Sequence, residues 1–219
     1  MDISLIIVAA GFGRRLGGVD KAFVKIAGKE IILYSFETFE KVPQIKEKII
    51  VVNKENVDKA KSVFHGKNVK FVFGGSIRAE SVKNGVLVAK ENFVMVHDAA
   101  RPFVSVLLIE RIINALKGAD SVIPTLKVKP TIKVVEDGFV FRTLKRDTLA
   151  VVQTPQLFRK EQLLSAYEKF TDLSGITDES MLIEKLGKRV RVVEGEEKNL
   201  KITTPLDLIV AREIVKNGI

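Results

Sequence analysis

The stretch SLIIVAAGFGRRLGGVDK, residues 4–21, joins a short apolar run to a loop rich in glycine and arginine. The run at 4–9 carries Leu, Ile and Val without polar alternation, as a strand covered on both faces would. It is too short to cross a bilayer and lacks the basic start of a secretory leader. Gly11 and Gly13 then let the main chain approach a ligand closely and turn N–H groups toward an anion. Arg15 and Lys21 add positive charge. Ligands of open α/β sheets bind beyond the carboxyl ends of strands, which is where this loop falls. A tight strand-to-helix turn with incidental arginines remains open from spacing alone. Two other phosphate loops fail. A dinucleotide fingerprint needs glycine where Leu16 stands, and the next clear strand ends at Val52-Asn53 rather than at an acid. A Walker loop needs Gly-Lys-Ser/Thr, which occurs nowhere in the 219 residues.

Downstream the pattern continues. Apolar runs predict further strands at 48–52, 69–73, 93–97, 121–124 and 189–194. Segments of helical period predict helices at 30–39, 54–64, 77–89, 106–116, 161–170, 179–186 and 205–216. In the fourth of these, Ile109, Ile112, Ile113 and Leu116 share one stripe. Ser105, Asp178 and Thr204 are placed to cap helix starts, with Pro205 at a first helical position and Asp207 in a first turn. Such alternation implies an α/β fold, a doubly wound, mostly parallel sheet with helices on both faces. One segment breaks the rhythm. Residues 127–153 read as strand at 131–136, a turn at Asp137-Gly138, strand at 139–143, a polar break at Lys145-Arg146-Asp147, and strand at 148–153. Asp-Gly between β-rich runs signals a hairpin. The reading is a β-hairpin arm (127–153) projecting from a single domain (1–219). An arm exposing Val134, Val135, Phe139 and Phe141 needs cover, so a second subunit is expected against it.

Composition limits the chemistry. With 46% hydrophobic residues the chain can build a sizeable core. It has no cysteine, which excludes disulfides and thiolate metal sites, and only His65 and His97 offer imidazole. The net charge of +9 suits nucleic acid, an anionic membrane or small phosphorylated ligands. Lys and Arg are spread along the chain rather than gathered with aromatics, so a solvated basic surface is the default. Neither nucleic acid nor membrane is expected as a partner, and the location is expected to be cytoplasmic. A nucleic-acid-binding α/β domain is the remote alternative.

After the first loop come, in order, Gly74-Gly75-Ser76-Ile77-Arg78-Ala79-Glu80-Ser81-Val82, His97-Asp98-Ala99-Ala100-Arg101-Pro102, Gln153-Thr154-Pro155-Gln156, Ile176-Thr177-Asp178-Glu179 and Lys201-Ile202-Thr203-Thr204-Pro205. The set resembles the 2-C-methyl-D-erythritol 4-phosphate cytidylyltransferase family over nearly the whole chain. The first block alone is shared by many nucleotidyltransferases. The resemblance implies a Rossmann-like nucleotidyltransferase fold. It also implies transfer of a cytidylyl group from CTP to methylerythritol phosphate, with pyrophosphate released, in isoprenoid precursor synthesis. Another polyol phosphate, such as ribitol 5-phosphate, is the nearest alternative acceptor. The acceptor's phosphate oxygen attacks the α-phosphorus in line, so no enzyme nucleophile is needed. Catalysis then consists of positioning and charge neutralisation.

By the same resemblance, Arg15 and Lys21 stabilise the transition state at a triphosphate held by the loop of Ala9, Ala10, Gly11 and Gly13. Gly75 and Ser81 contact base and ribose, while Asp98, Ala99 and Arg101 lie where cytidine and acceptor meet. Thr131, Thr154 and Arg146 reach the acceptor from the partner subunit of a homodimer. Thr177 and Lys201 complete the acceptor site, with Lys201 on the phosphate. Mg²⁺ is implied, held largely by phosphate oxygens, with Asp98 as the candidate protein ligand. His97 reads as a packed strand-end residue, and Arg78 and Glu80 read either as site residues or as a solvated helix turn. Two positions depart from the family. Asp20-Lys21-Ala22 replaces the usual Pro-Lys-Gln, so Asp20 either pairs with Lys21 or faces water. Pro130 replaces the usual acidic residue before Thr131.

Overall fold

The computed structural model describes residues 1–11 and 21–218. β1 (Ile3–Val8) is followed by a small hairpin, β2 (Lys25–Ile26) and β3 (Lys29–Glu30). Next come α1 (Ile31–Glu40), β4 (Ile45–Val52), α2 (Val57–Val63), β5 (Lys70–Phe73), α3 (Arg78–Val88) and β6 (Phe93–Asp98). The second half adds α4 (Val106–Ala115), β7 (Ser121–Lys127), β8 (Lys133–Glu136), β9 (Phe139–Thr143) and β10 (Ala150–Val152). It closes with β11 (Gln156–Arg159), α5 (Lys160–Lys169), α6 (Ser180–Lys185), β12 (Val190–Glu194) and α7 (Pro205–Asn217).

Eight strands form one sheet in the order β10-β7-β11-β6-β1-β4-β5, with β12 also paired to β7. β4, β6 and β1 run parallel, as do β4 with β5 and β7 with β12. The sheet is therefore mostly parallel and covered on both faces. Alternation along β1 divides the core. Leu5 and Ile7 face Phe36, Phe39, Leu108 and Ile112 of α1 and α4, whereas Ile6 faces Val82, Val86, Leu163 and Leu182 of α3, α5 and α6. The expected stripe of α4 is buried at Ile109, Ile112, Ile113 and Leu116.

Helix starts follow their capping chemistry. Ser105 Oγ accepts the Leu108 N–H at 3.0 Å, and Thr204 with Asp207 forms a reciprocal capping box ahead of Pro205. Asp178 accepts the Met181 N–H at 3.3 Å, and α6 begins two residues later. The helix expected at 54–64 splits into a 3₁₀ turn (Lys54–Asn56) and α2, because the Asn53 side chain accepts the Asn56 N–H and turns the chain first.

Strand β11 has no counterpart among the strands expected from the sequence. It pairs antiparallel with both β6 and β7, between two otherwise parallel parts of the sheet. Only Leu157 and Phe158 in its four residues are apolar, too little for a periodicity signal. β2 and β3 are two residues each and carry no signal either.

Within the segment 127–153, β8 and β9 form a separate two-stranded sheet around Asp137 (φ 49°) and Gly138 (φ 83°). Two successive positive φ values are what a tight hairpin turn demands. The last expected strand of the segment, by contrast, belongs to the main sheet. β10 pairs antiparallel with Thr125, Leu126 and Lys127 of β7, which runs three residues past its expected end.

Helix α3 lies close to the sheet through Gly85. A Cβ there would sit 2.7 Å from Ile6 Cγ2 and 3.2 Å from Val51 Cγ2, both on fully buried residues. Alanine raises helix propensity by up to about 1 kcal/mol over glycine, but overpacking costs about 1–3 kcal/mol. Gly85→Ala should therefore lower stability by about 1 kcal/mol in urea unfolding. Equal or greater stability would show that α3 does not bear on the sheet at this point.

Candidate active site

Parallel pairing brings the carboxyl ends of β1, β4, β5 and β6 to one edge. Val8 is in register with Asp98, and Ala99 N–H donates to Val8 O at 3.1 Å. Ala9 N–H donates to Val51 O at 2.7 Å and Gly74 N–H to Val52 O at 2.8 Å. Three loops thus leave the sheet side by side, beginning at Ala9, Gly74 and Ala99. Gly74 permits this closeness, since a Cβ on it would fall 2.4 Å from Ala10 Cβ. The turn that follows is internally fixed. Ser81 Oγ accepts the Gly75 N–H (3.1 Å) and donates to Ile77 O (3.0 Å), while Glu80 accepts the Ser76 N–H (2.7 Å).

At the centre lies Asp98, 7% exposed. Arg78 Nε donates to its Oδ1 at 3.0 Å and Lys201 Nζ to its Oδ2 at 2.6 Å. Arg78 Nη1 also donates to both oxygens of the buried Glu179, at 3.0 and 2.9 Å. Burial pushes the Asp98 carboxyl up, but Arg78, Lys201 and Arg101 together hold it well below the usual carboxylate range. Arg78 is kept firmly charged by Asp98 and Glu179 against the cost of its own burial. Burial pushes Glu179 upward, against the pull of Arg78.

Behind Asp98 runs a chain of neutral hydrogen bonds. His97 is fully buried, and its Nε2 lies 2.9 Å from Arg101 O. A carbonyl can only accept, so Nε2 carries the proton and Nδ1 is the acceptor. Thr154 Oγ1 therefore donates to Nδ1 (3.3 Å) and accepts the Asp98 N–H (3.0 Å). Burial pushes the His97 pKa down to about 4 against the hydrogen bond to the Arg101 carbonyl and the Asp98 charge, with the charges of Arg101 and Lys201 adding to the effect of burial. The imidazole is a neutral packing and orienting group, as its strand-end position implied.

Lys201 is fixed from the other side. Gln153 bonds the Glu196 main chain through both its amide atoms, and Asn199 Nδ2 donates to Thr154 O at 2.8 Å. Arg101 Nη1 donates to Asn199 O at 2.8 Å, and Ile202 N–H to Ala100 O at 2.9 Å. Lys21 Nζ donates to Thr203 O at 3.0 Å, so the first loop's lysine meets the same segment.

Two clefts flank Asp98. The first, about 230 Å³, is lined by Ala9, Ala10, Gly11, Lys21, Gly75, Ser81 and Ala99 among others. The second, about 340 Å³, is lined by Arg101, Thr154, Gln156, Thr177 and Asp178 among others. Arg78, Asp98 and Lys201 line both and form the wall between them.

Most sequence-derived candidates thus converge. Gly13, Arg15 and Asp20 lie outside the described residues. Thr154 departs from its expected place. Its hydroxyl is buried and engaged by Asp98 and His97 of its own chain, because β11 begins two residues later and draws it inward. Arg146 and Thr131 line neither cleft. Arg146 donates to Lys129 O at 2.9 Å within the segment 127–153, and Thr131 is exposed. Arg78, left open by the sequence, proves to be a bridge between two carboxylates. Gln153, Asn199 and Glu179 have no role assigned by sequence reasoning. Gln153 and Glu179 share the short motifs of Thr154 and Thr177, and Asn199 stands two residues before Lys201.

Among the described residues, no group of three or more His, Asp or Glu could hold a metal ion. Both Asp98 oxygens already accept from cations. The described donor set does not fit a metal held by the protein. It fits two anionic ligands placed on either side of a charged wall. Of the described hydroxyls that line the clefts, those of Ser81 and Thr154 are buried and bonded, and those of Ser76, Thr177 and Ser180 donate to Glu80, Met181 and Asp178.

The family model described as 2-C-methyl-D-erythritol 4-phosphate cytidylyltransferase (IspD) matches residues 3–217. A protein of that name from Clostridioides difficile (strain 630) is 38% identical over 97% of this chain and 93% of its own. Another, from Caldanaerobacter subterraneus subsp. tengcongensis, is 38% identical over 96% of this chain and 97% of its own. The crystal structure of 4-diphosphocytidyl-2C-methyl-D-erythritol synthase from Anaerococcus prevotii DSM 20548 superposes with a TM-score of 0.87 at 33% identity, covering 98% of this chain and 96% of that one. The 2-C-methyl-D-erythritol 4-phosphate cytidylyltransferase of Thermus thermophilus gives 0.84 at 30% identity, covering 99% and 100%.

The burial of His97 makes stability depend on pH. Its folded pKa lies below its ordinary value, so between about pH 6.5 and 4 the unfolded chain binds the extra proton. Stability should fall as pH drops through that window, by up to about 3 kcal/mol from this group. His97→Gln removes the titration, and urea unfolding from pH 7 to 4 should then show a shallower loss than wild type. An unchanged slope would mean His97 is not buried in its neutral form.

Proposed function

The chain belongs to the 2-C-methyl-D-erythritol 4-phosphate cytidylyltransferase family, and we propose from that premise how its two clefts divide the reaction. The enzyme transfers the cytidylyl group of CTP to 2-C-methyl-D-erythritol 4-phosphate. An oxygen of the acceptor phosphate bonds to the α-phosphorus, the bond from that phosphorus to the bridging β-phosphate oxygen breaks, and pyrophosphate leaves. The observation that carries this reading is the pair of clefts sharing Arg78, Asp98 and Lys201 as a common wall. Two substrates placed there meet across a fixed set of charges.

CTP takes the first cleft. The main chain at Ala9, Ala10, Gly11, Gly75 and Ala99 faces base and ribose, and Ser81 shapes the turn that presents Gly75. Gly13, Arg15 and Lys21 hold the triphosphate and neutralise charge developing on the leaving pyrophosphate. A divalent cation, Mg²⁺, enters with the triphosphate as part of that substrate. The acceptor takes the second cleft, with Arg101, Thr154 and Thr177 around it. Lys201 uses ammonium hydrogens not committed to Asp98 for the acceptor phosphate.

The arm supplies the remaining contacts. Phe139 is 79% and Phe141 66% exposed on a two-stranded sheet, an apolar surface that a second copy of the chain would cover. In such a homodimer Arg146 and Thr131 serve the acceptor cleft of the opposite subunit, which accounts for their distance from their own. Among the described residues no helix is long and apolar enough to cross a membrane. We assign the enzyme to the cytoplasm, with no nucleic-acid or membrane partner.

Lys21→Ala should lower CTP- and acceptor-dependent pyrophosphate release about 100–1000-fold with unchanged thermal unfolding. Arg146→Ala should be similarly impaired, yet mixed dimers of the two variants should regain part of the wild-type rate. A near-wild-type rate in Lys21→Ala, or no recovery in verified mixed dimers, contradicts the respective assignment. Ribitol 5-phosphate in competition should be used poorly; a preference for it would reassign the acceptor.

A further inference from the structure

We propose that Arg78 is a positioning residue for the transfer: its guanidinium, anchored by Glu179, holds the Asp98 carboxylate in the wall between the two clefts. This rests on the assignment of those clefts to CTP and acceptor. Arg78 opens α3, three residues after Gly75 of the first cleft. One edge of its guanidinium reaches Asp98 at the end of β6, and another reaches Glu179 at the start of α6. Glu179 follows directly on Thr177 and Asp178 of the second cleft. A single side chain therefore ties together three segments that are distant in sequence.

Burial orders the members of this cluster. The Glu179 side chain is 0% exposed, that of Asp98 10%, that of Arg78 25% and that of Lys201 40%. The most buried group is the anchor and the most exposed is the one assigned to a substrate. Lys201 is shared between Asp98 and the acceptor phosphate, so Arg78 is the cation that Asp98 does not share with a substrate. A planar fork can serve two carboxylates in fixed directions, whereas an ammonium is a point charge that cannot orient both. Stability alone does not call for the Arg78–Glu179 pair, because a buried ion pair is commonly replaceable by apolar residues without loss of stability. What the pair adds is the fixed direction of Nε toward Asp98.

The test compares Arg78→Met, Glu179→Met and the double variant Arg78→Met/Glu179→Met with wild type, reading melting temperature, kcat and the KM of each substrate. Arg78→Met strands a buried carboxylate and should melt lower. The double variant should recover most of that melting temperature while kcat stays down by about 100-fold, the scale of a misplaced catalytic group. The KM for CTP should change by less than about 3-fold, because the base contacts do not pass through Arg78. Recovery of both melting temperature and kcat in the double variant would overturn the proposal, leaving Arg78 as the neutraliser of Glu179. Should the methionine variants not fold, Arg78→Lys keeps the charge beside Glu179 and loses the fork. It should melt near wild type with the same loss of kcat, and a wild-type kcat would overturn the proposal. Wild-type protein without CTP-dependent pyrophosphate release would contradict the assigned function itself, a separate outcome.

Discussion

The Asp98 carboxylate, clasped between Arg78 and Lys201, is the interaction on which the site depends. A carboxylate in this position has little water, and burial alone would favour its protonated form. The two cations reverse that preference, and each comes from a different part of the fold. Arg78 arrives through the glycine turn after β5 and Lys201 through the loop after β12, while Asp98 itself is set by its register against Val8. Removing Arg78 would leave the buried Glu179 without its cation and Asp98 with Lys201 alone. The fold is arranged so that none can move far alone.

On the proposed assignment of the clefts, the same clasp lets a basic protein hold two anions without collapsing them onto one site. The wall carries positive groups facing both clefts, and Asp98 with Glu179 behind it offsets part of that charge before substrates arrive. Catalysis by positioning needs this restraint, since cations held in place cost no reorganisation when charge develops. The neutral relay from Asp98 N–H through Thr154 and His97 to Arg101 O has a related role. It fixes the main chain behind the carboxylate with no titratable charge near neutral pH.

Much of this is legible in the sequence because local chemistry and global fold agree. The apolar runs at β1, β4 and β6, the stripe of α4, the capping box at Thr204 and the Asp137-Gly138 turn each state their structure in a few residues. β11 is not legible, because two apolar residues give no period and its antiparallel insertion depends on neighbours far away in sequence. The second cleft is partly legible: its motifs mark Thr177 and Lys201, but not which side chains hold them. Asn199, Gln153 and Glu179 act through contacts across 43 to 101 residues of sequence. No local pattern encodes such pairings. Arg78 illustrates the limit, since an arginine in a first helical turn looks the same whether it meets water or two carboxylates.

The most direct test of the account is the steady-state rate of Asp98→Asn with CTP and 2-C-methyl-D-erythritol 4-phosphate, followed by pyrophosphate release alongside thermal unfolding. The amide keeps the shape of the side chain but removes the charge that Arg78 and Lys201 share. The account predicts a folded protein with turnover reduced at least about 100-fold. A folded variant turning over at close to the wild-type rate would contradict it.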